Sequence, residues 1–139
     1  MNVITLGTFD LFHVGHVNLL LRCRGIAGDG QVVVGLNTDG FIERYKGRKP
    51  VIPFANRAAV LRACRYVDVV IPNAQARGSA RPCITAANPD VIVVGDDWKG
   101  RDYLGQLGVT QKWLDEREIG IEYVPYTPGI STTEIRGQL

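Results

Sequence analysis

The stretch Gly7-Thr8-Phe9-Asp10-Leu11-Phe12-His13-Val14-Gly15-His16 decides how this chain is read. An apolar run, Val3 to Leu6, leads into it, and Val17-Asn18-Leu19-Leu20-Leu21-Arg22, which follows, has helical character. The stretch is therefore a strand end, a short loop and a helix opening at about Gly15. A helix N-terminus presents free backbone N–H groups and partial positive charge, which suits a phosphate. The only two histidines of the chain, His13 and His16, both sit here. An imidazole, neutral or protonated, can donate a hydrogen bond to a phosphoryl oxygen as charge develops there. Gly15 lets backbone approach the same oxygens closely. The pattern points to a nucleoside triphosphate site. Zinc is the chemical alternative, but no cysteine or third ligand lies near in sequence.

Outward from this loop, apolar runs and helical patterns alternate. Val32–Leu36, Val67–Ile71, Val91–Val94 and Ile121–Val124 read as four further strands. Helices are expected over about Gly15–Ile26 with a stop at Gly28, from Thr38-Asp39 to Tyr45, from Phe54 to near Tyr66, over Thr110–Arg117, and after Ser131 or Thr132. Lys46 to Pro53 reads as a loop, Gln75 to Ala87 as helical or partly looped around Pro82, and Gly100 to Gly108 as broken by glycine. Glu134 is placed as the capping-box partner of Ser131. This alternation predicts one α/β domain over residues 1–139, a Rossmann-like fold with a mainly parallel five-stranded sheet and helices on both faces. In such sheets ligands sit at the carboxyl ends of the strands, at the switch in strand order. The two-histidine loop, Gly95-Asp96-Asp97-Trp98 and Gly129-Ile130-Ser131-Thr132-Thr133 each follow a strand and would converge on one edge.

A length of 139 residues supports one core but not two. The net charge of +2 gives no argument for a nucleic-acid partner. No signal peptide or transmembrane-length apolar run is evident, so a cytoplasmic location with no membrane partner is expected. Cys23, Cys64 and Cys83 have no metal spacing and read as reduced thiols, the first two packed in helices.

Several motifs carry two readings. Lys46, Arg48 and Lys49 can hold the β- and γ-phosphates or form a solvated loop. Arg65 can serve a site or complement a helix C-terminus, and Arg57 can simply pair with a carboxylate. Asp97 and Trp98 can form a strand-end turn with a core anchor, or read a base. Ser131, Thr132 and Thr133 can cap a helix or line a second phosphate cradle.

Taken together, the two-histidine loop, Arg65-Tyr66-Val67-Asp68, Gly95-Asp96-Asp97-Trp98 and Gly129-Ile130-Ser131-Thr132-Thr133 resemble the cytidylyltransferase family, an HxGH branch of the nucleotidyltransferases. The glycerol-3-phosphate cytidylyltransferases are the nearest in pattern, over nearly the whole chain. The resemblance implies transfer of CMP from CTP to a small phosphorylated alcohol or phosphonate, with release of pyrophosphate and Mg²⁺ carried on the CTP phosphates. It implies His13, His16 and Lys46 in catalysis. It places Gly7, Thr8, Phe9, Asp10, Gly15, Arg65, Gly95, Asp97, Trp98, Ile130, Ser131 and Thr132 around the nucleotide, with Asp10 an equal candidate for a metal. Asp39, Arg57, Arg65, Tyr126 and Thr127 fall to the acceptor, and the chain would form a homodimer with Arg65–Asp68 near the contact.

One departure stands out. Where the family reads Arg-Thr-Glu-Gly-Ile-Ser-Thr-Thr, this chain reads Tyr126-Thr127-Pro128-Gly129-Ile130-Ser131-Thr132-Thr133. A charge-assisted contact to phosphate is worth about 1.5–3 kcal/mol. Either another cation (Arg77, Arg81 or Arg101) compensates, or the acceptor is not glycerol 3-phosphate. An ATP-dependent adenylyltransferase and a non-catalytic nucleotide-binding module are the alternatives.

Overall fold

A computed structural model describes all 139 residues. The β-branched apolar runs form five strands: β1 (Val3–Gly7), β2 (Val32–Asn37), β3 (Val69–Asn73), β4 (Val91–Gly95) and β5 (Gly120–Val124). They pair in the order β3-β2-β1-β4-β5, and every ladder is parallel. Val3, Val32, Val34, Val91 and Val93 are fully or almost fully buried, as strands covered on both faces require. Alternate residues serve opposite faces. Ile4, Val33, Ile92 and Val94 pack with Ile84 of α4 (Arg81–Ala87), Leu107 of α5 (Tyr103–Leu107) and Leu114 of α6 (Gln111–Glu116). Val3, Val32, Val34 and Leu36 face Leu20 and Cys23 of α1 (Val14–Ala27) and Ala58 and Leu61 of α3 (Phe54–Ala63).

The site opens where the strand order reverses, between β1 and β4. Five residue pairs join β1 to β2, from Val3↔Val32 to Gly7↔Leu36. Only Val3↔Val91 and Ile4↔Ile92 join β1 to β4. Beyond Ile4 the two strands part, and the gap becomes the floor of a cleft.

Several boundaries differ from expectation for local reasons. Helix α3 stops at Ala63, because Cys64 turns extended (φ −75°, ψ 124°). Arg65 therefore lies in a turn past the helix rather than at its end, and Cys64 lies just outside it as well. Strand β3 begins at Val69, not Val67: the Val67 N–H bonds back to the Cys64 carbonyl. Asp68 instead clamps the strand start, accepting from the Val32 N–H and from Arg24 Nη1, each at 2.8 Å. The Gln75–Ala87 segment is helical only from Arg81, with Pro82 in the first turn, where its missing N–H costs nothing. The glycine-rich segment after Trp98 holds α5, capped by Asp102 accepting from the Gly105 N–H. Lys46 ends α2 (Asp39–Lys46) and is followed by Gly47 at φ 73°, so the loop proper starts one residue later. No helix is long and apolar enough to cross a membrane.

Candidate active site

The loop from β1 to α1 is held in a strained form. Phe9 and Leu11 both adopt positive φ (50° and 51°), which costs a non-glycine residue on the order of 1 kcal/mol or more. Phe9 folds its ring back over Gly7, where a Cβ would stand 2.9 Å from Phe9 Cε2. The ring is buried and meets His16 at 5.1 Å between centroids.

The two histidines build the start of α1 themselves. His13 is the N-cap, and its Nδ1 accepts from the Gly15 N–H at 3.0 Å. His16 Nδ1 in turn accepts from the His13 N–H at 3.1 Å, which closes a capping box made of imidazoles. A backbone N–H can only donate, so both Nδ1 atoms are unprotonated and each neutral ring carries its proton on Nε2. Neither Nε2–H has a protein acceptor, and both rings line the cleft. The rings stack at 3.8 Å. Burial lowers the pKa of His13, and burial with the neighbouring His13 brings His16 down to about 3, against a small upward pull from Asp10. The pair therefore acts as two neutral donors near pH 7. Gly15 is required on this account too, since a Cβ there would stand 2.8 Å from His13 Cε1.

The cleft is about 350 Å³ and brings together most of the residues expected around a nucleotide. Gly7, Thr8, Phe9, Asp10, His13, Gly15, His16, Lys46, Gly95, Asp97, Trp98, Tyr126, Thr127, Ile130, Ser131 and Thr132 all line it. One end is cationic. Lys46 projects here with its pKa lowered by burial, then by Arg136 and Arg48, while Asp10 pulls the other way. Like charges are crowded at this spot and disfavour one another's charged forms. The opposite end, with Gly95, Asp97, Trp98 and Tyr126, has no cation among its lining residues.

Arg136 is the charged lining residue that sequence reasoning missed. It sits on α7 (Thr132–Gly137), four residues after Thr132, so both lie on the face turned to the cleft. That i, i+4 spacing downstream of the Ser-Thr-Thr segment was the available signal. Arg136 Nη2 bonds Asp10 Oδ2 at 3.3 Å.

Asp10 is buried and fully employed. Its carboxylate accepts from the Val51 N–H at 2.7 Å and the Ile52 N–H at 2.9 Å as well as from Arg136, and its carbonyl accepts from Thr132 Oγ1 at 2.7 Å. It joins the histidine loop, the Lys46–Pro53 segment and α7, which leaves it ill suited to hold a metal. No group of three or more His, Cys, Asp or Glu side chains forms a metal cage. Ser131 caps α7 by accepting from the Glu134 N–H. The return bond expected from the Glu134 side chain is not made, so the capping box is half built.

Three residues assigned to the acceptor stand outside the cleft. Arg57 is 2% exposed and spends its donors on the carbonyls of Ile52 (2.8 Å), Thr8 (2.8 Å) and Asn37 (2.9 Å) and on Asp39 Oδ1 (2.6 Å). Asp39 is taken by this pair and by the Phe54 N–H. These two hold the ends of β1 and β2 together; they are scaffold. Arg65 is exposed and lies over the Tyr66 ring at 5.2 Å, remote from the cleft of its own chain. The substitute cations are engaged elsewhere: Arg81 over Trp113 (5.4 Å) and Arg101 over the Trp98 ring (4.8 Å), while Arg77 is in an exposed turn.

Comparison with known proteins shows the family. Residues 4–138 match the family model described as cytidylyltransferase-like. Glycerol-3-phosphate cytidylyltransferase from Bacillus subtilis is 40% identical over 138 residues, covering 99% of this chain and 95% of that one. The Staphylococcus aureus protein of the same name is 38% identical over 138 residues, with 99% and 93% covered. The bifunctional protein HldE of Aeromonas hydrophila is 37% identical over 134 residues, which are 26% of its length. Among solved structures, a lipopolysaccharide core biosynthesis protein from Thermoplasma volcanium superposes with a TM-score of 0.62 at 25% identity, over 90% of this chain and 97% of that one. Pantothenate synthetase from Thermus thermophilus shares the fold, with a TM-score of 0.62 at 15% identity over 97% of this chain and 61% of that one. With its paired imidazole donors at the β1–α1 turn and a family match that runs almost end to end, this chain belongs to the cytidylyltransferase-like family.

Proposed function

We propose that the chain transfers CMP from CTP to a small alcohol bearing a phosphate or phosphonate, glycerol 3-phosphate being the first candidate. The observation that carries this reading is the pair of neutral imidazoles whose Nε2–H donors face the same cleft as Lys46 and Arg136. A phosphate oxygen of the acceptor attacks the α-phosphorus in line. The new P–O bond forms as the bond to the β-phosphate's bridging oxygen breaks, and pyrophosphate leaves with both electrons of that bond. No covalent enzyme intermediate is needed, so the protein contributes position and charge stabilisation.

In this reading His13 and His16 donate to the α-phosphate oxygens, where charge rises in the transition state. Lys46 and Arg136 neutralise the departing β/γ end, and binding relieves their mutual repulsion. Mg²⁺ supplies further charge neutralisation as a passenger on the nucleotide phosphates, consistent with a cleft whose one buried carboxylate, Asp10, is already bonded to three donors.

The test is pyrophosphate release in Mg²⁺ with CTP or ATP against a panel of acceptors. The panel holds glycerol 3-phosphate, phosphocholine, phosphoethanolamine, pentitol phosphates, a sugar 1-phosphate and hydroxyalkyl phosphonates. CTP-dependent turnover with at least one acceptor is expected. Turnover only with ATP would replace the assignment by an adenylyltransferase, and silence with every acceptor while CTP binds would replace it by a binding module.

A further inference from the structure

We propose that Tyr126 forms one wall of the nucleobase subsite and contributes affinity for the base, rather than being a residue of the acceptor. The inference rests on the cytidylyltransferase reading and deepens it. Position in the motif assigned Tyr126 to the acceptor phosphate, but its surroundings belong to the other end of the cleft. Its backbone N–H donates to Asp96 Oδ1 at 3.0 Å, which ties it to the turn that follows β4. The next residue, Thr127, accepts from Asn18 Nδ2 of α1 at 3.0 Å through Oγ1. The segment is thus pinned from both sides.

The Tyr126 ring lies beside Gly95. A Cβ on Gly95 would stand 3.7 Å from Tyr126 Cδ2 and 2.6 Å from Asp97 Oδ1. Gly95 is therefore a bare floor between an aromatic ring and a carboxylate. Trp98 lines the same end, its ring braced by Tyr103 (5.3 Å) and Arg101 (4.8 Å). Every cation of the cleft, Lys46 and Arg136, is at the opposite end beside Asp10. A triphosphate must lie toward those cations, which leaves the planar, uncharged part of the nucleotide for the end with two aromatic rings and one carboxylate. An exposed ring suits a base better than a phosphate: Tyr126 is 47% exposed, and its hydroxyl bonds to no protein group. An aromatic base can stack there, and the Asp97 carboxylate can accept from an exocyclic amine, which cytosine has and uracil lacks.

The test is equilibrium binding of CTP, UTP and inorganic tripolyphosphate, without acceptor, to the wild type, Tyr126→Ala and Tyr126→Phe, followed by steady-state kinetics. CTP affinity should fall about tenfold in Tyr126→Ala, the scale of one lost base–aromatic contact, and hold within about twofold in Tyr126→Phe. Tripolyphosphate affinity and the acceptor KM should stay within twofold in both variants. An equal loss for tripolyphosphate would overturn the proposal in favour of a phosphate contact. A raised acceptor KM with unchanged CTP affinity would overturn it in favour of an acceptor contact. CTP bound by the wild type no more tightly than tripolyphosphate would also overturn it, whereas failure of the functional reading would show separately in the wild-type kinetics, as no CTP-dependent release of pyrophosphate with any acceptor.

Discussion

Arg57 and Arg136 approach the same loop from opposite sides, and they do different work. Arg57 lies beneath the cleft with all its bonds made within the protein, to three carbonyls and one carboxylate. Arg136 lies on the cleft wall with one contact to Asp10 and donors to spare. The comparison extends to whole regions. Below the opening, Arg57, Asp39, Asp10 and the linked amides of Asn37 and Asn73 form a closed polar framework that joins the strand ends. Above it, His13, His16, Lys46, Arg136 and Tyr126 offer groups that nothing in the protein satisfies. A polar residue at a strand end builds a site when its partners are spent and serves a ligand when they are not.

The contrast predicts opposite phenotypes. Breaking the framework should first cost stability. Arg57→Met strands three carbonyls and Asp39, and should lower the unfolding free energy by about 3 kcal/mol or more in urea titrations. A loss under 1 kcal/mol would mean that the framework is not one. Breaking the wall should first cost chemistry. His16→Ala should reduce turnover on the order of 10²–10³-fold, the scale of one lost transition-state donor. Its stability cost should be about 1 kcal/mol, from the lost acceptor for the His13 N–H.

A smaller effect concerns pH. The pKa of folded His16, about 3, lies below the unfolded value of 6.5, so the unfolded chain binds the extra proton between them. The stability from neutral His16 is then fully present above pH 6.5 and is lost progressively as pH falls toward 3. Thermal midpoints should drop between pH 7 and 5 in the wild type. The slope should flatten in His16→Asn, and equal slopes would contradict the assignment. Smallest of all is Tyr103→Phe. The Tyr103 hydroxyl is buried without a partner, so its removal should leave turnover unchanged and raise stability by about 1 kcal/mol.

The fold was legible because apolar strand runs and helical patterns alternate, and because each motif follows a strand. The two-histidine loop was legible as a strand-to-helix turn at the carboxyl end of β1, and the structure sets both rings in the cleft there. What the sequence hid was where donors are spent. Nothing in Arg57 or Asp39 announces a buried pair, because the carbonyls that Arg57 satisfies come from residues 5 to 49 positions away. Arg65 came from the resemblance of Arg65-Tyr66-Val67-Asp68, a motif that does not reveal that the helix ends at Ala63 and leaves Arg65 in an exposed turn over the Tyr66 ring. Tyr126 was assigned from its position in a motif, which does not reveal that its backbone N–H bonds the Asp96 carboxylate and that its ring lies beside Gly95.

The most direct test of the central claim is a ³¹P NMR time course of CTP, Mg²⁺ and glycerol 3-phosphate, with the other acceptors in parallel, for the wild type and His16→Ala. The account predicts that the CTP triphosphate signals give way to pyrophosphate and a diphosphate diester in the wild type, and persist in the variant. Release of orthophosphate in place of pyrophosphate, or equal conversion by His16→Ala, would contradict it.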